Sequence, residues 1–250
     1  MCILALVYQV LSDCPVLVAA NRDESRRRRS HAPRPTDENP GRRWFGGRDG
    51  VSDGTWLGVN EVGLLATVTN RHDRALPANP RSRGLLCRDI LKCEDDRQAE
   101  SELDRQLSIH DFAGFNLLVV SADNGFVYEH GPTTLRRQVS AGLHVLGNTG
   151  WDDRRDPRST RMRREFESAL ARVAALGELI GNAQRICGLD ESRDEPALCI
   201  SKPDSGTVSC SLLTLQDPVS DSEFHFAEGP PASTPFVDFS PQLRNLLNTR

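Results

Sequence analysis

Two apolar runs at the start of the chain, Cys2 to Val10 and Pro15 to Ala20, constrain the fold most. Both are rich in Val, Leu, Ile and Ala, and the Leu-Ser-Asp-Cys-Pro stretch between them supplies turn residues, so the spacing predicts a β-hairpin. Neither run alternates polar with apolar residues, which predicts burial on both faces. The chain must therefore build around a core hairpin. Its second strand leads into Ala-Asn-Arg-Asp-Glu at Ala20 to Glu24, a charged rim. A two-residue loop at Ser12 and Asp13 sets Cys2 opposite Asp23 and Ile3 opposite Arg22, and a slip of one or two residues keeps both charges beside the thiol.

Removal of Met1 would make Cys2 the first residue, with a thiol and a free amine on one carbon. That is a nucleophile carrying its own base. A free thiol titrates near ~8.5 and an α-amine near ~7.7–8.0, so part of the amine is unprotonated at neutral pH and can accept the thiol proton directly or through one water. Arg22 can bias Cys2 toward the thiolate, while Asp23 can hold the amine or orient Arg22. The plainer alternative is an Arg22–Asp23 ion pair at a strand end.

Met-Cys, an apolar strand and then Ala-Asn-Arg-Asp-Glu resemble the NRDE family, also called the transport and Golgi organisation protein 2 family. The resemblance runs through Gly147-Asn148-Thr149-Gly150-Trp151 and into the strands after Gly206. That family is similar to N-terminal-nucleophile hydrolases of the penicillin V acylase and bile salt hydrolase type. The resemblance implies an α+β fold, a four-layer αββα sandwich with two antiparallel sheets between helical layers, as one domain over residues 1–250. It further implies that Asn70, ending a strand, helps form an oxyanion hole, and that Asn148 lies in the active site. Arg161 resembles an arginine near the nucleophile, although Arg158, Arg163 and Arg164 crowd it. Two activities follow as expectations. One is a cysteine amidase acting on linear non-peptide amides, with no cofactor required. The other is a non-catalytic carrier of haem, lipid or acyl-CoA in the same pocket, with Cys2 or a histidine as iron ligand. The partner is in either case a small amide or hydrophobic ligand.

Arg26 to Arg29 and the stretch holding Pro33, Pro35 and Pro40 carry too little apolar surface for a core element and predict a long surface loop, either solvated or covering the site. Trp56 to Val59 and Leu64 to Thr69 flank a turn glycine, Gly63, as a hairpin. Ser82 to Leu107 predicts two helices, the first capped by Ser82. Strands follow at Phe115 to Val120, Gly125 to Tyr128, Leu135 to Val139 and Gly142 to Gly147. Met162, Phe166, Leu170 and Val173 recur at helical spacing, with Ser159 or Thr160 as cap and Pro157 stopping anything earlier. Thr207 to Leu215 and Glu223 to Ala227 predict two more strands, then a Pro-rich tail ending in a short amphipathic segment.

A formal net charge of −4 over 250 residues argues against nonspecific nucleic-acid binding as the main task. Seven cysteines without a CxxC pair indicate neither a disulfide framework nor a zinc site, and no metal is expected. A reducing cytoplasm fits best. The apolar start lacks the charged leader of a signal peptide, and no run reaches the length of a membrane span.

Overall fold

The computed structural model describes residues 2–36 and 41–248. Met1 and Pro40 lie outside these. In chain order the elements are β1 (Ile3–Leu11), β2 (Cys14–Ser25), β3 (Ser30–Thr36), β4 (Trp44–Asp49), β5 (Leu57–Asn60) and β6 (Leu65–Asn70). Helices α1 (Arg83–Ile90) and α2 (Asp96–Ile109) precede β7 (Phe115–Val120), β8 (Gly125–His130), β9 (Thr134–Gln138) and β10 (Gly142–Leu146). Then come α3 (Pro157–Leu170), α4 (Leu176–Cys187), β11 (Ser205–Leu215), β12 (Phe224–Ala227), β13 (Val237–Asp238) and α5 (Ser240–Leu247). The class is α+β with two antiparallel sheets, as expected.

The chain divides into two compact units, interleaved in sequence: Met1–Arg27 with Ser140–Ser240, and Arg28–Val139 with Pro241–Arg250. In the first, six strands run in the order β10-β1-β2-β11-β12-β13, so the amino-terminal hairpin is central. Both of its faces are buried from Ile3 to Tyr8 and from Val16 to Ala19. Strand alternation sends Ile3, Ala5, Val7, Leu17 and Ala19 to one face, where they pack with Met162 and Phe166 of α3 and Leu179, Ala183 and Ile186 of α4. Each fully buried Leu, Ile or Phe contributes ~1.5–3 kcal/mol of transfer free energy.

The hairpin register differs by one residue from the expected one. Leu11 does face Cys14 across the Ser12–Asp13 turn, but Tyr8 faces Val16, so Gln9 and Val10 oppose Pro15 alone. Gln9 adopts φ 51°, the left-handed conformation of a bulge residue. The bulge moves every later pair, and Ile3 faces Asn21 rather than Arg22.

The second unit holds the seven-stranded sheet β3-β4-β5-β6-β7-β8-β9. Leu86, Cys87 and Ile90 of α1 and Ala99 and Leu103 of α2 pack with Ala66, Val68, Leu117 and Val119 from its strands. The expected loop after Glu24 is corrected here, since Ser30–Thr36 pairs with Trp44–Asp49 as an edge strand. An edge position explains how β3 tolerates Pro33 and Pro35, which lack N–H groups for a second neighbour. The run of strands expected after Phe115 is shared out: β7 to β9 extend the second unit's sheet and β10 joins β1 in the first.

Two helix starts also differ. Pro157 bars anything earlier from the helix, as expected, and is itself the opening residue of α3, where its fixed φ suits the first turn; Asp156 rather than Ser159 or Thr160 caps it by accepting from Ser159 N at 3.0 Å. Ser82 precedes α1 without a side-chain capping bond, whereas Asp95 caps α2 through Gln98 N. Among the described residues no helix is long and apolar enough to cross a membrane.

Candidate active site

The end of β2 that carries Asn21, Arg22 and Asp23 lies between β1 and β11 in the first unit's sheet. Beside it opens a cleft of about 340 Å³, whose wall includes Cys2, Ile3, Asn148, Arg158, Ala197, Ile200 and Lys202. Cys2 is partly exposed, and its Sγ donates to the Asp23 carbonyl at 3.8 Å. Burial pushes the thiol above its ordinary range and the Asp23 charge adds to this, while Arg22 acts in the opposite direction. The expected bias of Arg22 toward the thiolate is therefore present but outweighed. A base must take the proton before the sulfur can attack.

Asp23 is buried and its carboxylate is held from two directions. Arg158 Nη1 donates to Oδ2 at 2.6 Å, and the Thr207 hydroxyl donates to Oδ1 at 2.6 Å. Arg22 is also buried, with Nη2 4.0 Å from the Glu24 carboxylate, and it does not line the cleft. Asn21, in the same motif, anchors the scaffold: its Nδ2 donates to the carbonyls of Cys187 at 2.8 Å and Leu198 at 2.9 Å.

The far wall is the connection from α4 to β11, and Arg158 and Arg161 clamp its backbone. Arg158 Nε donates to Ala197 O at 3.1 Å and its Nη2 to Leu198 O at 2.6 Å. Arg161 Nη1 donates to Asp190 O at 2.8 Å and Pro196 O at 2.7 Å, and its Nε lies 3.1 Å from the Glu195 carboxylate. Arg164 pairs with the same Glu195. Arg161 thus shapes the wall from behind and is not a lining residue, whereas Arg158, one helical turn earlier, reaches both the cleft and Asp23. The first-turn position of Arg158 follows from Pro157 opening the helix. Placing the cap at Ser159 or Thr160 hid this, because Arg158 then falls ahead of the helix. A proline followed by a capped amphipathic run was the signal available.

Asn148 lines the cleft from the loop after β10. Its neighbour Gly147 lies close against α3, where a Cβ would stand 2.8 Å from Ser159 Oγ. The loop is tied down beyond Trp151: Asp152 accepts from Val145 N at 2.8 Å, meets His144 Nδ1 at 2.8 Å and pairs with Arg163. Asn70 ends β6 in the second unit, paired with Phe115. Of the six residues singled out in the sequence, Cys2, Asp23 and Asn148 come together around the first unit's cleft, with Arg22 and Arg161 buried behind it. Among the described residues no group of three or more His, Cys, Asp or Glu is arranged to hold a metal ion.

No curated protein sequence matches the chain. Solved structures do. A Caenorhabditis elegans N-acylethanolamine-hydrolyzing acid amidase ortholog is similar with TM-score 0.57 and 11% identity, over 84% of this chain and 92% of that one. A mutant conjugated bile acid hydrolase from Clostridium perfringens gives TM-score 0.55 and 10% identity, over 96% and 93%. Penicillin V acylase from Agrobacterium tumefaciens gives 0.53 and 13%, over 96% and 87%. At such identities the likeness speaks for the fold alone, which is that of the N-terminal-nucleophile hydrolases. The sequence itself matches the family described as Transport and Golgi organisation 2 over residues 1–198, and with most of its length so matched the chain belongs to that family.

Proposed function

We propose that the protein is an amidohydrolase of the N-terminal-nucleophile type that cleaves linear, non-peptide amide bonds with Cys2. The observation that carries this reading is the position of Cys2 on the wall of a cleft beside the doubly held Asp23. With Met1 removed, the α-amine of Cys2 takes the thiol proton and the sulfur attacks the amide carbonyl. Collapse of the adduct breaks the C–N bond, the ammonium returns the proton to the departing amine, and an acyl-thioester remains. Water, deprotonated by the same amine, then cleaves the thioester and regenerates the thiol. Asn148 offers an uncharged amide to orient the substrate, and Arg158 fixes Asp23 near the nucleophile. A reducing, cytoplasmic setting belongs to this reading.

The experiment combines intact-mass analysis with a panel of N-acyl amides. Under this reading the active population lacks Met1 and gains one acyl mass on Cys2 during turnover, and Cys2→Ala abolishes both turnover and acylation. Turnover by protein that retains Met1 would overturn it.

A second reading, a carrier that holds an apolar acyl ligand without turning it over, is favoured by the Ile3, Pro157, Pro196, Ala197 and Ile200 side of the cleft. Haem suits this cleft poorly: no histidine lines it, and burial keeps the single candidate iron ligand, Cys2, protonated. Saturable acyl binding that survives Cys2→Ala, with no amine released, would favour the carrier.

A further inference from the structure

We infer that Thr207 is a positioning residue of the Cys2 site, a hydroxyl whose single proton is aimed at Asp23 by the backbone of the cleft wall. For its catalytic consequence this rests on the amidase reading; for its geometry it does not.

Thr207 lies on β11 directly opposite Asp23 and is fully buried. A hydroxyl can donate once. Here Ile200 N donates to Thr207 Oγ1 at 2.9 Å, which fills one lone pair and leaves the proton to point at Asp23 Oδ1, 2.6 Å away. The rotor is further fixed because Thr207 N donates to Ile200 O at 2.8 Å, so the same residue pair is tied in both directions. Ile200 is a cleft-lining residue. One side chain therefore connects the substrate-facing wall with the carboxylate next to the nucleophile.

The backbone is built to permit this. Arg22 and Asp23 are successive residues of β2 and point to opposite faces, whereas their partners on β11, Ser209 and Thr207, stand two apart and would ordinarily share one face. The extra residue, Val208, forms a bulge between them. Bulges of this kind re-aim side chains at functional sites. The preceding Gly206 allows the close approach, since a Cβ there would stand 2.4 Å from Ile200 O. Bulge, glycine and reciprocal hydrogen bonds serve the same short contact.

The test uses the mature full-length chain and three variants, Thr207→Val, Thr207→Ser and Thr207→Cys. Valine keeps the shape and removes the hydroxyl, serine keeps the hydroxyl and removes the methyl, and cysteine keeps a weak donor. Cys2 alkylation by iodoacetamide at fixed pH is measured beside amide turnover, with thermal melts to verify folding. The expected result is a change in Cys2 alkylation rate on the order of tenfold for Thr207→Val, the scale of one hydrogen bond to a charged group, and recovery to within about twofold of the parent by Thr207→Ser. Turnover falls through kcat rather than KM. Should the valine variant not fold, Thr207→Cys must change the rate in the same direction by a smaller factor. Parent-like alkylation in Thr207→Val, or a serine variant as altered as the valine one, overturns the inference. Absence of amide turnover in the parent, with the alkylation pattern intact, would instead count against the amidase reading alone.

Discussion

Replacing Arg158 with methionine keeps much of the side-chain length and removes the charge. It strips Asp23 Oδ2 of a 2.6 Å donor while Asp23 stays in a strand whose side chain is 2% exposed. It also leaves Ala197 O without the Nε donor, whereas Leu198 O keeps its bond from Asn21. Breaking one partner out of a buried ion pair costs about 3–5 kcal/mol, because the remaining charge is left uncompensated. At ~2–4 °C per kcal/mol for a chain of this size, the melting midpoint should drop by roughly 6–20 °C. Urea denaturation of the parent, Arg158→Met, Asp23→Asn and the double variant closes the cycle. The double variant should be less destabilised than the sum of the singles by more than about 1 kcal/mol, since the pair shares one interaction. An Arg158→Met loss below about 1 kcal/mol, or strictly additive singles, would refute the view that this pair anchors the cleft.

Other outcomes follow from the same geometry. The raised Cys2 thiol should go on gaining reactivity toward iodoacetamide at pH values above ~8.5, where an ordinary thiol levels off, and a profile that flattens there would contradict the upward push of desolvation and the Asp23 charge. Gly206→Ala should cost about 1–3 kcal/mol in urea denaturation, because its Cβ meets Ile200 O at 2.4 Å; an unchanged midpoint would mean that the cleft wall yields freely. His130 is pushed down to about 4 by burial, with Arg74 adding to it. The unfolded chain binds that proton first, so its neutral state supports the fold above pH ~6.5 and this support is lost as pH falls from there through about 4. His130→Phe, which keeps the ring contacts with Phe115 and Tyr128, should flatten that acid limb in pH-dependent melts.

The sequence made the apolar skeleton legible and the polar connections much less so. The opening hairpin, the Gly63 hairpin and the paired helices before Phe115 follow from short-range pattern and turn chemistry. The one-residue register error came from Gln9, whose left-handed conformation no propensity of glutamine announces. Helix α4 escaped notice because Gly177 and Gly181 weaken its helical reading, although Leu179, Ile180, Ala183, Ile186 and Cys187 keep one apolar face. Strand β4, fully buried with two glycines, carries no alternation to betray it. At the site, Cys2 and Asp23 were visible from the opening hairpin, and Asn148 through the family resemblance. Arg158 and Thr207 were not, since they reach Asp23 across 135 and 184 residues and nothing local marks such partners.

The interleaving of the two units sets an order of events during synthesis. Strand β2 cannot meet β11 until 184 further residues separating Asp23 from Thr207 have been made, which at ~5–20 residues per second takes about 10–40 s. Through that interval the amino-terminal hairpin gains β10 along β1 but still lacks β11 along β2, and the α4–β11 segment that walls the cleft is not yet complete. Under the amidase reading, in which Met1 is removed, the chain's own threading leaves that end without its finished pocket for the whole interval.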